Sequence, residues 1–223
     1  NLKGTLSPDQ LGYFANTGYA GFLRWPHLYN NIQNLNTVIA GIDDVPTPTA
    51  PEADLKKRLK GEAYFIRAYE YAMLMMNHGG VVLRAEPWTL GEDYSTIKRS
   101  TLAETKDFIL ADIQSAITIL KDYPTIEQGR ANQGAAAALK SRVLLFCAGK
   151  LTNGGYEAAN TLVSFPAGSQ TALLQAARDA AKDVMDGKYG TYSLVGNTAD
   201  PVLPLSAAQV QAYADNYASI FTQ

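Results

Sequence analysis

The sequence predicts an all-α fold, a degenerate tetratricopeptide-like stack of antiparallel helical pairs with loop insertions. Three observations predict it. Apolar residues recur at steps of three and four in six separate stretches. Capping or chain-breaking residues bound those stretches. A chain of 223 residues that is 47% hydrophobic and 18% charged can also bury a sizeable core. The stretches begin near residues 22, 52, 101, 131, 170 and 206, too unevenly for a regular array, and the Trp, Leu-Gly and Pro signature of such repeats is missing.

In the first stretch Leu28, Ile32, Leu35, Ile39 and Ile42 fall on one helical face. Asn30, Asn31, Asn34 and Asn36 occupy the other faces, where most of these amides are expected to meet solvent. Gly41 and residues 43–51, with three prolines, end the helix and form a linker. A second helix over residues 52–77 closes at Gly79-Gly80, a sequence suited to a left-handed cap. Its latter half is apolar on nearly every face, which predicts a helix surrounded by others. Arg67 and Glu70 stand three residues apart there and are expected to pair.

Thr101 and Glu104 form a capping box ahead of a third helix that buries Ile109, Ile113, Ala116, Ile117 and Leu120. After Tyr123-Pro124 and Gly129, a fourth helix uses residues 135–138, all alanine, for close backbone approach. A fifth over residues 170–186 buries Leu173, Ala177, Ala180 and Val184 and ends at Gly187, and a shorter sixth is expected over residues 206–217.

Charge and motif content narrow the function. With 19 basic and 21 acidic side chains the net charge is -2, too balanced to draw in a nucleic acid over long distances. No apolar run reaches the roughly 20 residues a membrane-spanning helix requires. The single Cys147 lies among apolar residues and reads as a buried thiol. His27 and His78 sit in no metal-ligand spacing, so neither a metal nor another cofactor is expected. No nucleophile elbow or phosphate-binding loop occurs, and Gly79-Gly80 and Gly154-Gly155 read as helix stops. Asp43-Asp44 and Glu92-Asp93 read as solvated loop charges and not as a glycosidase pair. The expectation is a binding protein and not an enzyme.

The same residues carry a family resemblance. Leu28-Tyr29-Asn30-Asn31-Ile32 with Asn36, then Gly61-Glu62-Ala63-Tyr64-Phe65-Ile66-Arg67-Ala68-Tyr69-Glu70-Tyr71 running into His78-Gly79-Gly80-Val81-Val82-Leu83, resembles the SusD/RagB family. Gly129-Arg130-Ala131 with Lys140-Ser141-Arg142-Val143-Leu144-Leu145, the Gly187-Lys188-Tyr189 turn and Asn216-Tyr217-Ala218-Ser219-Ile220-Phe221 agree in order. The resemblance implies a glycan-binding lipoprotein, surface-exposed on the outer membrane of Bacteroidetes-type bacteria. Such a protein captures oligosaccharide or polysaccharide and delivers it to a TonB-dependent SusC-like transporter. It further implies that residues 1–223 are one helical SusD-like domain of a longer protein, whose lipid anchor and second half lie elsewhere. A peptide-binding member of the family and a helical-repeat scaffold for protein partners are the alternatives.

Sugars lay their C–H faces on flat rings while amides and carboxylates take their hydroxyls. Residues 1–21, expected to form a surface loop leading into the first helix, hold that mixture in Tyr13, Phe14, Asn16 and Tyr19 among glycines. Trp88 and Tyr94, on the loop after Val81-Val82-Leu83, are the second candidate pair. Trp25, leading into the first helix, is expected in the core.

Overall fold

The computed structural model describes residues 25–123, 129–154 and 157–192, with positions 208, 210–212 and 215. Five helices carry the fold: α1 (Trp25–Gly41), α2 (Ala50–His78), α3 (Leu102–Leu120), α4 (Gln133–Ala148) and α5 (Ser169–Met185). Among the described residues no strand is longer than an isolated bridge. The chain divides into two units, Asn1–Tyr189 and Gly190–Gln223. The sixth expected helix falls mostly outside the described residues; the described positions there are helical, and Gln211 Nε2 donates to Asp215 Oδ1 one turn on at 2.8 Å.

Side-chain chemistry starts the helices where the sequence marks them. Ahead of α2, Glu52 Oε2 accepts from the Thr49 backbone N–H at 2.9 Å, and ahead of α3, Glu104 Oε2 accepts from the Thr101 N–H at 2.7 Å. Asn132 Oδ1 accepts from the Ala135 N–H at 2.7 Å and starts α4. Each bond satisfies a donor that the first helical turn leaves open.

Each helix packs on the next in sequence. The contacts fix antiparallel pairing: a side chain at Gly61, early in α2, would press on Ile119 and Leu120 at the end of α3, and Arg67 further along α2 meets Asp112. Likewise Trp25 at the start of α1 lies 5.2 Å, ring to ring, from His78 at the end of α2. Leu28, Ile32, Tyr71, Leu74, Met75, Ile109, Ile113 and Val143 form the buried centre. Cys147 joins them, and burial pushes its thiol up to about 12.

Three expectations need correction. First, the latter half of α2 is not surrounded: Ile66 and Tyr69 remain 42% and 41% exposed, because its helix contacts are mainly with α1 and α3. Second, Arg67 does not pair with Glu70; it pairs with Asp112, and Glu70 Oε1 accepts from Asn31 Nδ2 at 3.0 Å. The reason is direction, since Arg67 points into the core and Glu70 toward α1. Third, Asn36 is fully buried and not solvated.

The glycine pair does more than stop a helix. Gly79 caps α2 at φ +75°, in the region glycine favours. A side-chain carbon on Gly80 would overlap the Ser100 carbonyl, because three segments cross there. Gly80 N–H donates to the Leu162 carbonyl at 2.6 Å, Ser100 N–H to Val81 at 2.8 Å and Leu102 N–H to Thr161 at 2.9 Å.

Candidate binding site

The first turns of α1 present Trp25 and Tyr29 four residues apart on one face, with ring centroids 4.9 Å apart and planes inclined by 42°. Beyond the glycine pair the chain runs along this face, and the Tyr29 hydroxyl donates to the Val82 carbonyl at 2.7 Å. Burial drives the Tyr29 hydroxyl well above its usual range, so it stays a neutral donor. The loop that follows brings Trp88 and Tyr94 to the same place.

That loop is fastened from several directions. The Trp88 N–H donates to Gln33 Oε1 on α1 at 2.7 Å. The Arg84 guanidinium lies over the Trp88 ring, 4.3 Å from its centroid, and donates to the Pro87 carbonyl at 3.2 Å. Arg84 also grips both oxygens of Glu92, with Nη2 donating to Oε2 at 2.7 Å. The bonds from Arg84 hold the Glu92 carboxyl below its usual range. Glu92 is thus a clasp and not the solvated charge expected. Asp93 Oδ1 accepts from Ser95 N–H and Oγ at 2.9 and 2.6 Å and starts a short 3-10 turn, Tyr94–Thr96. The Tyr94 hydroxyl donates to the Thr89 carbonyl at 3.1 Å, which sets its ring 5.5 Å from Trp88 at 51°.

Trp25, Tyr29, Val82, Trp88, Tyr94 and Ile97 line an open cavity of about 290 Å³. The structure brings the predicted Trp88 and Tyr94 together and adds Trp25, expected in the core, and Tyr29. Trp25 does pack on the core, but only part of its ring is covered. The four-residue step between Trp25 and Tyr29 was a signal in the sequence for a shared face. Nothing local there joined that face to a loop more than fifty residues on. Tyr13, Phe14, Asn16 and Tyr19 lie outside the described residues.

Among the described residues its lining is rings and alkyl groups, with no carboxylate, imidazole or thiol, which suits the cavity to stacking. Tyr94 is 54% exposed, so the rings are reachable from solvent. A second cavity, of about 310 Å³, lies where the end of α2 meets the segment after α4. Met75, Met76, Leu102, Leu151 and Val163 dominate its wall, which has no paired flat rings. Among the described residues no three His, Cys, Asp or Glu side chains gather as a metal site, and no helix is long and apolar enough to cross a membrane.

Comparison with known proteins supplies the family. The SusD-like family described as "Starch-binding associating with outer membrane" matches residues 14–145, more than half of the chain. The SusD-like protein P38 of Formosa agariphila is 28% identical over 156 residues, which cover 68% of this chain and 27% of that protein. A SusD-like protein of Bacteroides fragilis superimposes with a TM-score of 0.54 at 27% identity, over 78% of this chain and 28% of the other. A SusD-like carbohydrate-binding protein of the same species shares the fold at 21% identity with a TM-score of 0.58, over 82% of this chain and 30% of the other. The chain therefore spans under a third of each of these relatives.

Proposed function

The chain belongs to the SusD-like family, and from that premise we propose that it captures glycan at the groove between α1 and the loop carrying Trp88 and Tyr94. The observation that carries this reading is the four-ring lining of the groove, with Tyr29, Trp88 and Tyr94 held by bonds that need no ligand and Trp25 packed against the Tyr29 and His78 rings. Rings fixed in advance lose little freedom when a sugar stacks on them. Capture without hydrolysis belongs to the same reading, and among the described residues that line the cavity none is an acid.

Retention in a native gel containing starch, then other polysaccharides, tests the reading. Trp88→Ala and Tyr94→Ala should each weaken retention about tenfold, the loss of roughly one stacking contact near 1.4 kcal/mol. Thermal unfolding should change little. Tyr13→Ala with Tyr19→Ala tests the upstream segment as a further part of the site. Unchanged retention in Trp88→Ala and Tyr94→Ala overturns the groove as the site, and release of short oligosaccharides by the purified protein overturns binding without catalysis.

In the whole protein the captured glycan passes to a TonB-dependent SusC-like transporter at the outer membrane, where a lipid anchor holds the protein facing outward. Family membership supports this step, and the open apolar stripe of Leu55, Leu59, Ile66 and Tyr69 on α2 offers a surface for contact. Extraction of native membranes in mild detergent should co-purify the transporter; recovery as a free monomer counts against it.

A further inference from the structure

Behind the groove, three successive backbone carbonyls are tied to the buried interior. Asn36 on α1 donates from Nδ2 to the Arg84 and Glu86 carbonyls at 3.2 and 3.1 Å. Arg67 on α2 donates from Nη1 to the Ala85 carbonyl at 3.0 Å and to Asn36 Oδ1 at 2.8 Å. Its Nε and Nη2 meet the two oxygens of Asp112 on α3, each at 2.7 Å. Tyr71 completes the set, its hydroxyl accepting from the Arg84 N–H at 2.9 Å and donating to the Arg84 carbonyl at 3.2 Å.

Side-chain exposure in the ion pair is 5% for Arg67 and 7% for Asp112, so both charges have lost most of their water. Burial works against the guanidinium charge, and the bonds from Asp112 outweigh it, holding Arg67 above its usual range. A buried pair of this kind adds little stability over well-packed apolar side chains of the same volume. What apolar side chains cannot do is hold carbonyls. Residues 84–86 lie in no helix or strand, so their backbone groups must find partners elsewhere. The cluster supplies those partners at fixed points, and its own geometry allows one arrangement. With Oδ1 committed to Arg67, the Asn36 amide must turn its nitrogen toward the carbonyls; the reverse would set oxygen against oxygen.

We infer that Asn36, Arg67 and Asp112 are positioning residues for the ligand groove, setting the Trp88 ring from beneath. The inference rests on the groove being the binding site. Two links carry the position outward. The first is Arg84, whose backbone the cluster and Tyr71 hold and whose side chain covers Trp88. The second is Gln33, three residues before Asn36 on the same helix, which holds the Trp88 backbone. Helices α1, α2 and α3 thus all bear on one ring.

The test needs no glycan. The full-length protein is labelled with 5-fluorotryptophan, and the Trp88 fluorine resonance is assigned by its loss in Trp88→Phe. Asn36→Ala should shift and broaden that resonance and remove the amide protection of Arg84 and Trp88 in hydrogen exchange. The double variant Arg67→Met with Asp112→Leu, which leaves no buried charge unpaired, should do the same. Val143→Ala, destabilising but remote on α4, should leave both signals unchanged at the same temperature. A role in overall stability alone predicts that Val143→Ala and Asn36→Ala act alike, and that result overturns the inference. So does an unaltered Trp88 signal in the cluster variants. Should those variants not fold, native-state exchange of the unaltered protein decides, because protection at the Arg84 and Trp88 amides must be lost together with that around Arg67 and Asp112. Polysaccharide retention by Trp88→Ala reads the groove itself, so failure there is separate from failure of the positioning.

Discussion

Arg67 and Glu70 illustrate what local spacing can and cannot tell. Three residues of separation says that two side chains can reach each other on a helix. It does not say which of them faces a neighbour that arrives much later in the chain. Asp112 is 45 residues from Arg67 and Asn31 is 39 from Glu70. Both partners win because the packed helices bring them closer than any local choice. The clasp between Arg84 and Glu92 was equally hidden, since an acid in a loop reads as solvated until a guanidinium is seen beside it. Its pH response follows from the direction of the Glu92 shift. The folded-state value lies below the ordinary 4.5 because Arg84 bonds the ionised form. Its contribution is therefore fully present above the unfolded value and is lost as pH falls through the lower, folded one. The Trp88 fluorine signal should hold through mildly acidic pH and change with a midpoint below 4.5; Glu92→Gln should show the changed signal already at neutral pH.

The helices themselves were legible, and their caps explain why. Thr101 with Glu104 and the glycine after His78 mark ends by chemistry that acts within a few residues, so nothing distant could move them. The expected start near residue 52 fell two residues inside the observed Ala50 because Pro51, read as the end of the linker, sits in the first turn of a helix that Thr49 and Glu52 cap. The burial of α2 was read less well. Ile66 and Tyr69 are as apolar as their buried neighbours, and hydrophobicity does not say how many helices will come to cover them. A sequence records which side chains avoid water; the number of neighbours comes from topology. The groove divides in the same way. Trp88 and Tyr94 could be seen as a pair because only five residues of loop separate them, whereas Trp25 and Tyr29 enter through the antiparallel packing of α1 on α2.

Across the first unit, the packing depends on one narrow crossing. At Gly80 the chain leaving α2 touches the segment ahead of α3 and the segment after α4, with backbone bonds to both. Gly80→Ala places a carbon where the Ser100 carbonyl sits, so the segments must part or the backbone must bend. Overpacking of this kind costs about 1–3 kcal/mol. Chemical denaturation should report a loss of that size for Gly80→Ala and a much smaller one for Gly41→Ala, where a side chain would meet nothing and the backbone is ordinary. The crossing also fixes where the groove loop departs. Residues 84–86 are bolted to α1 and α2, while residues 89–95 reach outward and are mostly exposed. Such a loop behaves like a bit in a socket: the shank is held by groups that never meet a ligand, and the tip can change its rings or length without loosening the grip. Under the proposed function, a lineage carrying this fold exchanges its taste for one sugar against another by rewriting a handful of codons, with the helical body left as it was.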